Sequence, residues 1–305
     1  MRSLLALAAA LGLTLLATAA QSVEMRTLRI EHDGRERRAI LDARSDLRAA
    51  PVLIVLHGGI AGPEWMRRRA RVSLARQGWA VLYPFAIDDW NDGRLDRRGR
   101  PYDDADDVGF LRALVARLVE AGVADSRRVF FAGPSLGGTM VLRMLCEAPD
   151  LVAGAAVAIS SFADGKDCAD GPPRPILYVH GTEDGIMPPE GGRIGGDSIF
   201  VRDRGRVRPV DETLQRLAFR NRCEGYRARP LPDRISTDGS TVELREYQGC
   251  AAPLVHYVVK GGGHTWPGSG EFRMGASLVG RTNQDFSATA AVERFFKALS
   301  ARDGG

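Results

Sequence analysis

The stretch Arg128-Val129-Phe130-Phe131-Ala132-Gly133-Pro134-Ser135-Leu136-Gly137-Gly138 decides how the rest of the chain is read. Its first five residues, rich in branched and aromatic side chains, predict a strand, and the periodic apolar residues after Ser135 predict a helix over 136–147. Between the two lies the pattern GxSxG, from Gly133 to Gly137. Composition alone can produce that pattern, so its weight comes from its placement. A sharp strand-to-helix turn lifts a serine hydroxyl above a sheet, and glycines flank it because neighbouring backbone passes close by. Pro134 fixes φ and removes a donor, both of which a residue leaving a strand tolerates.

Working outward, strands and helices alternate. Residues 25–31 and 36–41, joined by a turn at Asp33-Gly34, predict a hairpin. Val52-Leu53-Ile54-Val55-Leu56 is an unbroken apolar run, as expected of a strand buried on both faces. A helix is predicted over 64–76, a strand over 79–83, and a helix over 106–121 with apolar residues at Val108, Leu111, Leu114, Val115 and Leu118. Further strands are predicted at 152–159, 175–180, 241–247 and 254–260. A last helix carries Phe286, Val292, Phe295, Phe296 and Leu299. Buried strands separated by helices predict an α/β fold, a mostly parallel sheet flanked by helices, with its chemistry at the carboxyl ends of the strands.

A serine at its resting pKa is a weak nucleophile and needs a base, which needs an orienting acid. There are five histidines. His32 falls in the hairpin turn and His256 inside a predicted strand. His57 and His180 end strands and are read as structural, satisfying backbone groups there. His264 follows the last strand and three glycines. Asp184 lies four residues beyond His180, with Glu183 as its rival. Ser135, Asp184 and His264 therefore occur in the chain order of α/β-hydrolases, each just past a strand end, as nucleophile, acid and base. His57-Gly58-Gly59-Ile60 follows the first buried strand, from which such enzymes take one oxyanion-hole amide. Gly59 or Ile60 would supply it, and the amide of Leu136 the other. A tight turn without ligand is the plain alternative for the glycine pair.

The composition sets outer limits. With 305 residues, 44% hydrophobic and 26% charged, the chain has a globular profile. A formal charge of +4, from 42 basic and 38 acidic residues spread along the whole length, is too balanced for a nucleic-acid binder. Lys166, Lys260 and Lys297 are the only lysines, so the basicity is an arginine bias, and the run Arg67, Arg68, Arg69, Arg71 reads as a solvated helix face. At the N-terminus, Arg2, the apolar stretch Leu4 to Leu16 and Ala17-Thr18-Ala19 predict a secretory signal peptide over 1–19. That run is short for a bilayer span, so no stable membrane insertion is expected. One domain over 20–305 is expected, located outside the cell or in the periplasm. In an oxidising compartment Cys146, Cys168, Cys223 and Cys250 favour disulfides. Three pairings are open, and the sequential one is preferred because each bridge closes a moderate loop, stabilising by about 3 kcal/mol. Buried free thiols are the alternative. The cysteines lack the close spacing of a zinc site, and no metal or other cofactor is expected.

These segments together resemble a known family: the secreted esterases grouped with polyhydroxybutyrate depolymerases, which also contains feruloyl and acetylxylan esterases. The resemblance covers most of the chain beyond residue 20. It rests on LHGG at 56–59, WNDGR at 90–94, DDVGFLRAL at 106–114, GPSLGG at 133–138, HGTEDGIMPPEGG at 180–192 and GGGHTWPG at 261–268. It implies the α/β-hydrolase fold, the same roles for Ser135, Asp184 and His264, and a disulfide-tied insertion before the histidine, with Cys223 joined to Cys250. Pro134 departs from the family's usual non-proline residue, and Phe219 stands where relatives often have tryptophan. Trp90 and Trp266 are expected to wall a substrate cleft, with Trp65 more readily a packing residue. The expected substrate is a small or oligomeric ester of the feruloyl or acetyl-xylan kind. A hydroxybutyrate depolymerase is the rival within the class. Such enzymes usually carry a linker and a polymer-binding module, and this chain stops soon after its last predicted helix. A catalytically inactive binding protein is the rival from another class.

Overall fold

The computed structural model describes residues 22–59, 62–165, 168–195, 204–270 and 276–301. The predicted leader, 1–19, lies outside them. The order of elements is β1 (Val23–His32), β2 (Arg35–Arg44), β3 (Ala50–Val55), α1 (Pro63–Ala70), β4 (Ala80–Pro84), α2 (Asp107–Glu120), β5 (Ala124–Pro134), α3 (Leu136–Glu147), β6 (Gly154–Ala158) and β7 (Ile176–Gly181). There follow β8 (Gly192–Arg193), β9 (Arg206–Val207), α4 (Val210–Arg220), β10 (Gly225–Pro230), β11 (Thr241–Gln248), β12 (Leu254–Lys260), α5 (Ala276–Val279) and α6 (Ala288–Ser300).

Ten strands form one sheet in the order β1-β2-β4-β3-β5-β6-β7-β12-β11-β10. The six from β4 to β12 are mutually parallel. The hairpins at both edges are antiparallel. The parallel strands are buried on both faces, which is why β3, β4, β6 and β7 contain no exposed residue. One face is covered by α2, α3 and α4, through Phe110, Leu114, Met140, Leu145, Leu214 and Leu217. The other is covered by α1 and α6, through Met66, Ala70, Val292, Phe296 and Leu299. From β3 the chain winds to β4 on one side and onward through β5, β6 and β7 on the other. The carboxyl ends of β3 and β5 therefore form the switch point at which open α/β sheets bind ligands.

The expected α/β class and parallel sheet are borne out, as is the sequential disulfide pairing: Cys146 is bonded to Cys168 and Cys223 to Cys250. The helix expected over 64–76 is broken. It stops at Arg71, in the left-handed region at φ 48°, and a 3-10 turn takes over at Leu74–Gln77. The cause is tertiary. Glu293 of α6 accepts from both the Ser73 amide and, at 2.8 Å, the Ser73 hydroxyl, holding the chain away from a helical path. Two arginines of the α1 run are engaged, Arg67 with Asp42 at 2.6 Å and Arg69 with the Gly270 carbonyl at 2.9 Å. Phe286 precedes α6 and stacks on Tyr257. Among the described residues no helix is long and apolar enough to cross a membrane.

Candidate active site

The turn between β5 and α3 carries the site's most strained residue. Ser135 sits at φ 54°, ψ −131°, a conformation costly for a residue with a Cβ and held here by its surroundings. The Ser135 amide donates to the Ala158 carbonyl of β6, and its carbonyl accepts from Gly138 and Thr139. A Cβ on Gly133 would lie 2.5 Å from the Gly137 carbonyl carbon, and one on Gly137 would lie 2.4 Å from the Leu56 carbonyl oxygen. The flanking glycines are thus required by close approach of backbone.

Two further strand ends bring their side chains to Ser135. His264, beyond β12, faces the Ser135 Oγ with its Nε2 at 2.9 Å, and its Nδ1 lies 2.7 Å from Asp184 Oδ2. Asp184, beyond β7, is almost fully buried, and its Oδ1 accepts from the amides of Ile186 and Met187 at 3.0 and 2.8 Å. An acceptor at Oδ2 makes Nδ1 the donating nitrogen of His264. That leaves Nε2 with a lone pair toward the serine hydroxyl. The arrangement can therefore draw a proton from Ser135 and stabilise the resulting imidazolium. Glu183, the sequence rival of Asp184, points away and pairs with Arg281 at 3.1 Å.

Gly58 packs directly on the serine: a Cβ there would stand 3.3 Å from Ser135 Cβ. Leu136 opens α3, where the first amides have no intrahelical acceptor and the helix dipole favours negative charge. Gly59 lies against Leu136, while Ile60 falls outside the described residues.

Of the expected substrate-binding residues, Trp90 is corrected. It is fully buried, donates from Nε1 to the His57 carbonyl at 2.8 Å and packs on the His57 ring, so it braces the loop after β3 and walls no cleft. Trp266 is half-buried, with Nε1 donating to Thr289 Oγ1 at 3.0 Å. Trp65, read as a packing residue, is instead exposed and joins Trp266, Arg68 and Arg69 around a cleft of about 410 Å³. His57 is structural, accepting from the Ala86 amide at 3.2 Å. His180 and His256 form a buried pair, Nδ1 to Nε2 at 2.8 Å, and desolvation lowers both, His180 to about 4.

The loop at 90–94 and α2 are stitched together. Asp107, in the first turn of α2, accepts from Arg37 at 2.5 Å and from the Asn91 amide at 2.7 Å, while Asn91 Nδ2 donates to the Ala105 carbonyl. Burial raises the Asp107 carboxyl, against the hydrogen bond from Arg37. One residue near the site was not singled out from sequence: Arg204, whose Nη1 lies 3.4 Å from the Gly59 carbonyl. In an arginine-rich chain nothing local marks it. Among the described residues no group of three or more His, Cys, Asp and Glu side chains could hold a metal ion.

The chain is 32% identical over 255 residues to NocK of Nocardia uniformis subsp. tsuyamanensis, an esterase by name, covering 80% of this chain and 73% of that one. It is 27% identical over 246 residues to feruloyl esterase B of Piromyces equi, where the match takes in 76% of this chain and spans 42% of that protein. No family model matches the chain. Among solved structures, an acetyl xylan esterase from Aspergillus awamori aligns with a TM-score of 0.54 at 16% identity, over 79% of this chain and 94% of that one. A thermostable esterase aligns with a TM-score of 0.53 at 15% identity, over 92% of this chain and 63% of its own. The strand order and these neighbours define an α/β-hydrolase fold. At the identity and coverage shared with NocK, the chain belongs to that esterase family and is a carboxylic ester hydrolase.

Proposed function

We propose that this protein is an exported serine esterase in which Ser135 is the nucleophile, His264 the general base and Asp184 its orienting acid. The reading is carried by one observation: the unbroken hydrogen-bonded line Ser135 Oγ, His264 Nε2, His264 Nδ1, Asp184 Oδ2, at 2.9 and 2.7 Å. His264 takes the Ser135 proton as the oxygen attacks the ester carbonyl. The tetrahedral oxyanion is met by the Leu136 amide and by an amide of the loop at Gly59. The alcohol departs with the proton from His264, and water hydrolyses the acyl-enzyme by the same route. Asp184 fixes the imidazole tautomer and stabilises its cation.

The substrates are feruloyl, acetyl-xylan or similar soluble esters, taken by one catalytic domain spanning residues 20–305. Support comes from the likeness to feruloyl esterase B and from Trp266, half-buried two residues beyond His264, whose ring could stack on an aromatic or sugar group. Export by a leader over 1–19 is supported by the two disulfides.

A fluorophosphonate probe tests the chemistry. It should label the wild-type protein and leave Ser135→Ala unlabelled; equal labelling of both refutes the assignment. Hydrolysis of methyl ferulate, acetylated xylan, short p-nitrophenyl esters and hydroxybutyrate oligomers tests the substrate. Activity confined to the hydroxybutyrate oligomers overturns the preference for feruloyl and acetyl esters.

A further inference from the structure

The loop Trp90-Asn91-Asp92-Gly93-Arg94 takes no part in the acyl transfer described above, yet it is heavily built. Arg94 is a fully buried arginine whose Nε contacts both oxygens of buried Asp92, at 2.7 and 2.8 Å, and whose guanidinium lies over the Tyr102 ring. An ion pair this deep stabilises a fold little by itself, because desolvation offsets most of the attraction. Its structural effect is to pin a neighbour. Arg94 Nη1 donates to the carbonyl of Arg204, and Gly205, at φ 83°, packs so closely that a Cβ there would lie 3.0 Å from Arg94 Cβ.

From that anchor the Arg204 side chain runs over the loop that follows β3. Its Nη1 and Leu136 Cδ1 each stand 2.5 Å from the point a Cβ on Gly59 would occupy. The guanidinium therefore fills the space that glycine leaves, beside the residue following Ser135. Its contacts among the described residues are long: 3.4 Å to the Gly59 carbonyl and 3.7 Å to Asp89 Oδ2. The side chain is 26% exposed. A guanidinium has five N–H donors in a planar fork that matches a carboxylate. Asp89 and Gly59 engage only Nη1 of that fork, beside Leu136, the residue that follows Ser135.

We propose that Arg204 is a specificity-determining residue that receives a carboxylate on the substrate, so that the enzyme favours esters bearing a second, acidic group a few bonds from the scissile carbonyl. The proposal rests on Ser135 being the nucleophile, and it deepens the esterase reading by naming a substrate class that a purely neutral feruloyl or acetyl ester does not represent. The buried Asp92–Arg94 pair then has a reason to exist: it sets the backbone from which Arg204 reaches Gly59.

Two isosteric pairs test it. 3-Acetoxybenzoate against 3-acetoxybenzamide places the charge on the alcohol side, and monomethyl glutarate against methyl glutaramate places it on the acyl side. For at least one pair, wild-type kcat/KM should favour the carboxylate. Arg204→Gln should lower the carboxylate-to-amide ratio by about 10- to 100-fold, the range of a lost charge-assisted contact. Arg204→Lys should keep part of the preference, and Arg204→Glu should reverse it. A wild-type ratio near one in both pairs, or a ratio unmoved by Arg204→Gln, overturns the proposal; the wild-type measurement stands even if a variant fails to fold. Labelling of the same preparations with a neutral fluorophosphonate separates the two readings. An unlabelled wild type refutes the nucleophile and this proposal with it, whereas labelling without charge discrimination refutes only the role of Arg204.

Discussion

Replacing Gly137 by alanine should cripple turnover at a cost in stability of at most about 2 kcal/mol. An added Cβ would stand 2.4 Å from the Leu56 carbonyl oxygen and 2.7 Å from that of His57, where real Cβ atoms essentially never come within 3.0 Å. The end of β3 and the start of α3 must therefore separate by at least about 0.6 Å, the difference between 3.0 and 2.4 Å. Both neighbours are backbone, so no side-chain rotation relieves the contact. Overpacking of this kind costs about 1–3 kcal/mol. Within α3, however, alanine is about 1 kcal/mol better than glycine. The net loss of stability is about 0–2 kcal/mol. Catalysis has no such offset, because the two parts forced apart carry the two proposed oxyanion donors, the loop at Gly59 and the amide of Leu136. A donor designed for about 2.9 Å moves to about 3.5 Å, where a hydrogen bond is nearly gone, and loss of one such donor costs about 100-fold or more in kcat. Steady-state hydrolysis of p-nitrophenyl acetate, with urea melts on the same samples, measures both effects. Gly225→Ala is the control, since nothing lies within 4 Å of its Cβ position. A Gly137→Ala enzyme with kcat within about threefold of wild type would refute the inference from close backbone approach to oxyanion geometry.

Two other outcomes are expected. His180 and His256 are buried as a neutral pair, and burial is the main reason both are lowered. A histidine lowered from about 6.5 on folding contributes stability that is complete above its unfolded value and is lost as pH falls toward its folded value. Stability should therefore decline from pH 6.5 toward pH 4, by roughly 3 kcal/mol from His180 alone over the full window to about 4, and melting midpoints should fall with it. His256→Phe should flatten that decline, and an unchanged slope would remove the pair as its source. Substituting both Cys223 and Cys250 by serine should lower stability by about 3–4 kcal/mol, from a loop of 27 residues. Urea denaturation reads the loss, and a change below about 1 kcal/mol would show that the bridge does not restrain the unfolded chain as that estimate assumes.

Several elements were legible in the sequence because their burial is complete. β3, β4 and β7 lie between two helical layers and read as apolar runs because no solvent-facing position interrupts them. α3 was placed at 136–147 without error because the turn at Ser135 marks its start. β10 left no such signal. All six of its residues, Gly225–Pro230, are exposed, and it is a strand only because β11 pairs with it at the sheet edge. α4 was missed as well; Pro209 opens it with no capping side chain, and its stripe of Val210, Leu214 and Leu217 is short. The break in α1 was invisible for a different reason. It depends on Glu293, 220 residues away from Ser73.

The same division holds at the site. Ser135, Asp184 and His264 could be picked out because each follows a strand end, and the chain order of strands and helices by itself determined that these ends meet on one edge of a parallel sheet. The α/β class and the glycines around Ser135 were legible in the same way, from local pattern and the geometry of close backbone approach, whereas the sequence left three disulfide pairings open and the structure settled on the sequential one. What Trp90 does, and that Arg204 is near Gly59 at all, was decided only by tertiary structure. A tryptophan in a polar loop has the same local signature whether its ring fills a core or faces a ligand, and an arginine carries no mark of where its long side chain will end. Those outcomes depend on contacts between residues distant in the chain, fixed here by the buried pair of Asp92 and Arg94 and by the packing of Trp90 on His57.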